Sequence, residues 1–162
     1  MNYSPIGMKF TTRSRNAISF LIDLGTRPDR TPCSLSDFCG RFKLSVKYMS
    51  TLVIPLRKHK IISSVLGPHG GYFLQRDPET LSILEVIEIM DGPFHFCDCI
   101  TNPETCLVRD VCYSVPVWEN IDGQIRSVLG SFTLHHLVER YPVVCKDGLQ
   151  PESEITNRSG AT

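Results

Sequence analysis

The chain has 162 residues, 41% of them hydrophobic, and 17 basic side chains against 17 acidic ones. This size suits one domain, or a small domain with an appendage, and no uninterrupted apolar run approaches the length of a membrane span. The first residues have neither the basic nor the apolar region of a signal peptide. We therefore expect a cytoplasmic protein with no membrane partner.

The charged residues are divided unevenly along the chain. Residues 1–76 hold 12 Lys and Arg against 3 Asp and Glu, a net charge of +9, and residues 77–162 carry −9. A front half this basic has the charge of a polyanion-binding domain, although a merely solvated basic face is an alternative. We expect the front half, and not the acidic back half, to contact nucleic acid.

A first helix is predicted to begin near Thr11 or Thr12, either of which could cap it, and to end at Gly25. Its apolar residues recur at helical spacing and are Ala17, Phe20, Leu21 and Leu24. Arg13 and Arg15 lie at the unfavourable end of the helix dipole. That mild cost is understandable if both arginines face phosphates, although exposed arginines at the start of a helix are also commonplace.

A second, short helix is predicted after a loop. Ser34 caps it, and Asp37 follows three residues later as a shortened capping box. Its inner face consists of Leu35, Phe38, Cys39 and Phe42. We interpret Cys33 and Cys39 as small buried hydrophobic residues.

A tight turn leads to a third helix that Ser45 caps and that Pro55 is expected to kink or shorten. Its apolar stripe is Tyr48, Met49, Leu52, Val53 and Leu56. The polar side holds Lys47, Ser50 and Thr51, with Arg57, Lys58 and Lys60 at the end of the helix. Two short helices of this kind favour a helix-turn-helix over an ordinary helical hairpin.

A β-hairpin is predicted next, because β-rich runs at 61–65 and 72–74 flank a turn rich in glycine and proline. The glycines of this turn permit positive φ and a close approach of backbone amides to a phosphate. His69 at the tip could enter a minor groove, or could be an ordinary solvated histidine. A hairpin in this position is typical of the wing of a winged helix.

Four of the seven cysteines lie in the sixteen residues from Cys97 to Cys112, at spacings C-x-C-x6-C-x5-C. Asn102 and Pro103 break helices, so this cysteine loop can bring several sulfurs to one point. A lone disulfide needs two cysteines, whereas soft-metal or iron–sulfur ligation uses three or four. In a reducing cytoplasm such a cluster of cysteines favours metal or redox chemistry over a structural disulfide.

A long helix is predicted after the loop, over 115–129, with Pro116 in its first turn and Gly130 at its end. Its apolar residues are Val115, Val117, Trp118, Ile121, Ile125, Val128 and Leu129. An exposed apolar stripe on a helix beyond a small domain is unfavourable. We therefore expect a second subunit to cover it, giving a homodimer.

The resulting fold class is mostly α with a small β-hairpin wing. Residues 8–80 are predicted to form a winged helix-turn-helix DNA-binding domain, and 81–140 the cysteine loop and dimerisation helix. Ser82 and Thr133 are expected to cap two further short helices. Residues 141–162 are polar and are expected to be disordered.

The order of these parts resembles the family of winged-helix transcription regulators that includes the iron–sulfur sensors IscR, NsrR and RirA. The resemblance covers about residues 8–140 and rests on Met8-Lys9-Phe10-Thr11, Ser45-x-x-Tyr48, Leu56-Arg57-Lys58-x-x-Ile61-Ile62-x-Ser64-Val65, Gly67-Pro68-x-Gly70-Gly71-Tyr72 before the cysteine loop, and Phe132-Thr133-Leu134-x-x-Leu137-Val138. It implies a homodimer that reads a palindromic site in double-stranded promoter DNA. It also implies a 2Fe-2S or 4Fe-4S cluster on the loop that alters DNA binding.

The resemblance implies Cys106 and Cys112 as ligands, with Cys99 or Cys97 as the first of three. IscR-like members take a fourth ligand from a histidine, at the position of Val115 here. NsrR-like members use an aspartate, at the position of Arg15 here. The chain is thus most similar to the RirA-like members, which have three cysteine ligands. The fourth ligand would be the remaining cysteine of the pair Cys97 and Cys99, or else His95 or Asp98.

The resemblance also implies which residues contact DNA. Lys47, Ser50 and Thr51 would face base edges, where serine and threonine discriminate weakly. The remaining implied contacts are Arg13, Ser45, Tyr48, Arg57, Lys58, Gly67, His69 and Gly70. An acidic residue of IscR-like members is replaced by Ser50, and an arginine of their wing by Leu66, so the preferred sequence should differ.

Three other functions compete with the iron–sulfur regulator. Structural zinc on three or four thiolates, or a thiol switch without a cluster, would keep the DNA-binding dimer. The cysteines could merely pack a dimer core, but polar residues between them indicate a surface loop, where unligated thiols are a liability. An enzyme that uses Cys97 and Cys99 is disfavoured, because the sequence has no phosphate loop, paired carboxylates or other catalytic motif.

Overall fold

The computed structural model describes residues 10–140, so the predictions for Met8, Lys9 and residues 141–162 lie outside the described residues. The described part contains seven α-helices and one two-stranded antiparallel hairpin, which confirms the predicted mostly α fold with a small β-hairpin. The elements are α1 (Thr12–Gly25), α2 (Leu35–Phe42), α3 (Val46–Lys58), β1 (Ile62–Val65), β2 (Gly71–Leu74), α4 (Ile83–Asp91), α5 (Asp98–Thr101), α6 (Val115–Ser131) and α7 (Leu134–Arg140). None of these helices is long and apolar enough to cross a membrane.

Four of the predicted helix caps are confirmed. Thr11, Ser34, Ser45 and Ser82 each precede a helix, and each side-chain oxygen accepts a hydrogen bond from a backbone N–H two or three residues later. These bonds satisfy amides that have no partner inside the helix. The caps therefore fix where α1, α2, α3 and α4 begin.

The hydrophobic core surrounds α1. Phe20 of α1 is fully buried and meets Phe38 of α2 edge-on, with ring centroids 4.9 Å apart. Helices α4 and α7 and strand β2 also pack against α1. Leu81 and Leu134 belong to the same core cluster as the residues of α1 to α3. Cys33 and Cys39 are buried within it, as predicted.

The hairpin pairs in a single register from Ile62 opposite Leu74 to Val65 opposite Gly71. Cys33 adds a short bridge to its outer side, because its backbone N–H and carbonyl both hydrogen-bond to Tyr72 at 2.8 Å. The hairpin is thereby attached to the segment that enters α2. This attachment orients the wing relative to the helix-turn-helix.

The predicted shortening of α3 at Pro55 is wrong, and the predicted end of α6 at residue 129 falls two residues early. α3 continues through Pro55 to Lys58, and α6 continues through Gly130 to Ser131. Pro55 removes one backbone hydrogen bond, but Leu52 and Leu56 on either side of it are fully buried and stabilise the helix against this loss. Glycine in a helix costs only about 1 kcal/mol relative to alanine, so it weakens a helix without ending it.

Candidate nucleic-acid interface and cysteine loop

A buried carboxylate joins the helix-turn-helix to α1. Asp23 of α1 is 1% exposed and accepts hydrogen bonds from Arg27 and from Arg41 of α2, the latter at 2.9 Å through Nη2. Both guanidinium groups also form ion pairs with it. The pKa of the neighbouring Cys33 thiol is raised to about 11, mainly by burial and further by the negative charge of Asp23. The network fixes α2 on α1 and so orients α3.

The outward side of α3 presents hydroxyl and cationic groups. Ser50 Oγ donates to the carbonyl of Val46 at 2.8 Å, and Thr51 Oγ1 donates to the carbonyl of Tyr48 at 2.7 Å. Both hydroxyl hydrogens are therefore engaged inside the helix, and the oxygens face solvent as acceptors. Lys47 is exposed on the same side.

The cationic groups around α3 are free to meet an anion. Lys47, Arg57 and Lys58 are exposed and form no ion pair within residues 10–140. Arg13 and Arg15 at the start of α1 share both properties. No Asp or Glu occurs in α3 itself. This face would attract phosphates without first having to break an internal ion pair.

The wing has a tight glycine turn at its tip. Gly67 has φ +123°, a conformation that residues with a side chain rarely adopt. The N–H of Gly70 donates to the carbonyl of Gly67 at 2.9 Å, and a Cβ on Gly70 would collide with the carbonyl oxygen of Val65. Leu66 and His69 are exposed beside this turn. The tip can therefore approach another backbone closely.

Two residues of the predicted interface differ in character from the others. Ser45 is exposed but caps α3 through its side chain. Tyr48 is half-buried and packs against the core cluster. Its ring thus supports α3 from the inner side. Sequence reasoning missed the exposed apolar residues of α3, Val46 and Ile54, because neither lies in the predicted apolar stripe.

Within the cysteine loop, two thiols lie in contact. The Sγ atoms of Cys97 and Cys99 are 3.0 Å apart. Burial and the hydrogen bond to Cys99 raise the pKa of the Cys97 thiol to about 11. Both thiols are free and half-buried. Together they form a close dithiol pair at the start of the loop.

The other two loop cysteines follow short 3-10 turns, Pro103–Thr105 and Arg109–Val111. Cys106 and Cys112 are also free and half-buried. Cys112 Sγ lies 3.1 Å from the hydroxyl of Ser114, and this contact lowers the pKa of the Cys112 thiol. No three His, Cys, Asp or Glu side chains in the part of the chain that the structure describes lie close enough together to hold a metal ion.

The residues that enter the loop are tied to α6 and α4. Phe96 donates its backbone N–H to Asp122 of α6 at 2.6 Å. Arg126 of α6 donates both to the carbonyl of Phe94 at 2.6 Å and to Glu88 of α4 at 2.8 Å. His95 Nδ1 lies 3.6 Å from Asp122, beyond hydrogen-bond length. The position of the first loop thiol is thus linked to both helices.

The donor set of this loop fits an iron–sulfur cluster by its chemistry. Its four thiols are unpaired and half-buried, and thiolates are the usual ligands of such clusters. The arrangement described above brings only the Cys97 and Cys99 sulfurs into contact. Cys106 and Cys112 would have to join them for three or four thiolates to ligate one group.

Comparison with known proteins identifies similar chains over most of the sequence. The Rrf2 family, described as "Iron-dependent Transcriptional regulator", matches residues 10–140. The HTH-type transcriptional regulator IscR of Xenorhabdus nematophila is 33% identical over 137 residues, which cover 85% of this chain and 83% of that one.

Two solved structures have a similar fold. CymR, the global cysteine regulator of B. subtilis, superposes with a TM-score of 0.69 at 26% identity, covering 83% of this chain and 98% of its own. IscR of T. potens superposes with a TM-score of 0.63 at 28% identity, covering 85% of this chain and 90% of its own.

Proposed function

Because the chain belongs to the Rrf2 family of iron-dependent transcriptional regulators, we propose that it is a homodimer that binds double-stranded promoter DNA and holds an iron–sulfur cluster on its cysteine loop. The regulator class and its winged-helix fold follow from the family and from the similarity to IscR. The cluster, the dimer and the individual contacts form the proposal. The observation that carries the cluster is the set of four free thiols on a loop tied to α6.

DNA binding through α3 and the wing is supported by charge and shape. The exposed cations of α3 have no internal ion pair among the described residues. Lys47, Ser50 and Thr51 would face base edges, while Arg13, Arg57 and Lys58 would contact phosphates. Gly67 and Gly70 would let the wing backbone approach the DNA, with His69 beside it.

The homodimer is supported by the surface of α6. Of its 17 residues only Val115 and Asp122 are buried. Val117 and Val128 are more than half exposed, and Ile121, Ile125 and Leu129 are only half-buried. An apolar face this poorly covered is stabilised by a second copy, whose α6 would bury the same residues by symmetry.

The cluster would be held by Cys106, Cys112 and one or both of Cys97 and Cys99. When bound, it supplies a group that changes oxidation state and is degraded by oxidants. Asp122 and Arg126 hold the residues just before Cys97 against α6. Any change in the loop would therefore act on α6 and α4, and through α1 on the helix-turn-helix.

Anaerobic purification, with iron and acid-labile sulfide measured per chain, tests this proposal. We expect a coloured protein with matched iron and sulfide. Cys106→Ala should lose both, whereas Cys39→Ala, which removes a buried thiol outside the loop, should retain both. A colourless protein that contains zinc would instead indicate a structural zinc site, and a colourless, metal-free protein would contradict the cluster.

The 3.0 Å contact between the Cys97 and Cys99 sulfurs favours a second candidate, a thiol switch without a cluster. Hydrogen peroxide would oxidise the two thiols to a disulfide, with both protons and both electrons passing to peroxide to form two water molecules. A metal-free protein that loses two thiols and changes its DNA affinity on such treatment would establish this alternative. The same treatment of Cys97→Ser should leave the affinity unchanged.

A further inference from the structure

Ile54 lies on the outermost side of α3. It is two residues from Leu52 and two from Leu56, which are both fully buried. Two residues correspond to about 200° around a helix, so Ile54 points away from the core. Its side chain is 64% exposed. Most of its side chain is therefore open to a partner of α3.

The surroundings of Ile54 do not form an apolar patch. Its neighbours one turn away on the helix surface are two hydroxyl residues, Ser50 and Thr51, and two cations, Arg57 and Lys58. All four are exposed. Protein-docking surfaces are contiguous and apolar over several hundred Å². An isolated isoleucine between cations and hydroxyl groups is instead complementary to a polyanion whose surface carries small apolar groups.

The C5-methyl group of thymine is the apolar group on the major-groove edge of a base pair. We propose that Ile54 is a specificity-determining residue that contacts a thymine methyl group when α3 lies in the major groove. This inference rests on the proposed function, because it requires α3 to be the DNA-reading helix. It adds a positive preference for thymine to a helix whose base-facing hydroxyl groups discriminate weakly.

The polar groups of α3 increase the importance of the contact between Ile54 and the thymine methyl group for sequence discrimination. The usual readers of guanine and adenine are Arg, Lys, Asn and Gln, and before Arg57 in its last turn α3 has only one of them, Lys47 in its first turn. Ser50 and Thr51 have engaged their hydroxyl hydrogens inside the helix. Beyond Lys47, sequence discrimination by α3 therefore depends largely on apolar contact.

Replacing thymine by deoxyuridine tests the proposal, because it deletes only the methyl group. The wild-type protein first selects a duplex from a random-sequence pool. Each thymine of that duplex is then replaced in turn, and binding is measured by fluorescence anisotropy. Burying one methyl group contributes enough to change affinity about fourfold. We expect one symmetric pair of replacements to weaken wild-type binding by about that factor per methyl group.

Variants of α3 identify the residue responsible. Ile54→Ala should bind the thymine and deoxyuridine duplexes equally at that position, and Ile54→Val should keep most of the difference. Val46→Ala removes a β-branched side chain on the same face, about 12 Å along the helix axis, and should keep the difference in full. Since Ile54 is exposed and alanine favours helices, Ile54→Ala should fold normally, as circular dichroism would show.

Two results would overturn the inference while leaving the proposed function intact. In one, no thymine replacement weakens wild-type binding to the selected duplex. In the other, the penalty persists unchanged in Ile54→Ala. If the wild-type protein selects no sequence from the pool, the proposed DNA-binding function itself fails, together with this inference.

Discussion

Removing the charge of Asp23 should destabilise the whole domain. In Asp23→Asn the two arginines, Arg27 and Arg41, would lose the carboxylate with which they form ion pairs. Removing one member of a buried ion pair typically costs about 3–5 kcal/mol, because a charge remains without compensation. The two arginine side chains are 24% and 22% exposed, so water would partly solvate them. We therefore expect a loss near the lower end, about 3 kcal/mol.

Urea unfolding followed by circular dichroism measures this loss. With a slope of about 2 kcal/mol per molar urea for a domain of this size, the midpoint should fall by about 1.5 M. Asp29→Asn is the matched control, because Asp29 is exposed, forms no ion pair among the described residues and adopts φ 52°, which asparagine tolerates. Its midpoint should stay within the experimental error. A loss below about 1 kcal/mol in Asp23→Asn would refute the view that this carboxylate holds α1 and α2 together.

Three further effects follow from the same structure. Ser45→Ala removes the cap of α3 and should reduce the free energy of unfolding by about 1 kcal/mol, as thermal melting would show. Lys58→Ala should lower the slope of log affinity against log salt by about 1 if Lys58 contacts a phosphate; an unchanged slope would remove it from the interface. In metal-free protein at pH 8, iodoacetamide should alkylate Cys112 before Cys97. The pKa of the Cys112 thiol is lowered, whereas the Cys97 thiol has a pKa of about 11, so only about one Cys97 side chain in a thousand is a thiolate at this pH. Mass spectrometry of the peptides would reveal the reverse order if it occurred.

The sequence predicted best those features that depend on neighbouring residues. The caps at Thr11, Ser34 and Ser45 follow from a side chain and an amide a few residues apart. The burial of Phe20 and Phe38 follows from helical spacing of apolar residues. Such signals are local, so they can be read without knowing which elements meet.

The errors arose where distant parts of the chain decide the outcome. Pro55 does not shorten α3, which continues to Lys58, and α6 ends one residue after Gly130. For Pro55 the burial of its neighbours Leu52 and Leu56 explains this result. Tertiary packing commonly overrides intrinsic propensity in this way. The spacing of residues along one helix could not show which tertiary contacts the helix makes.

The sequence also could not predict the contacts that connect the cysteine loop to the rest of the fold. In the sequence Asp122 looks like an ordinary charged residue on the surface of a helix. In the structure it is buried and accepts a hydrogen bond from the backbone N–H of Phe96, 26 positions away. Arg126 likewise connects α6 with Glu88 of α4 and with Phe94. The spacing of the cysteines identified the loop, but it could not show that Cys97 and Cys99 are the two whose sulfurs lie in contact among the residues described.

The most direct test of the central claim compares DNA affinity with and without the cluster in one preparation. The anaerobically purified protein is titrated against the selected duplex, stripped of iron by chelation, and titrated again at the same salt concentration. Coupling between two sites is typically 5- to 150-fold, so we expect a change in Kd of at least about fivefold. Equal affinities before and after the loss of iron and sulfide would contradict it, because the cysteine loop would then not control DNA binding.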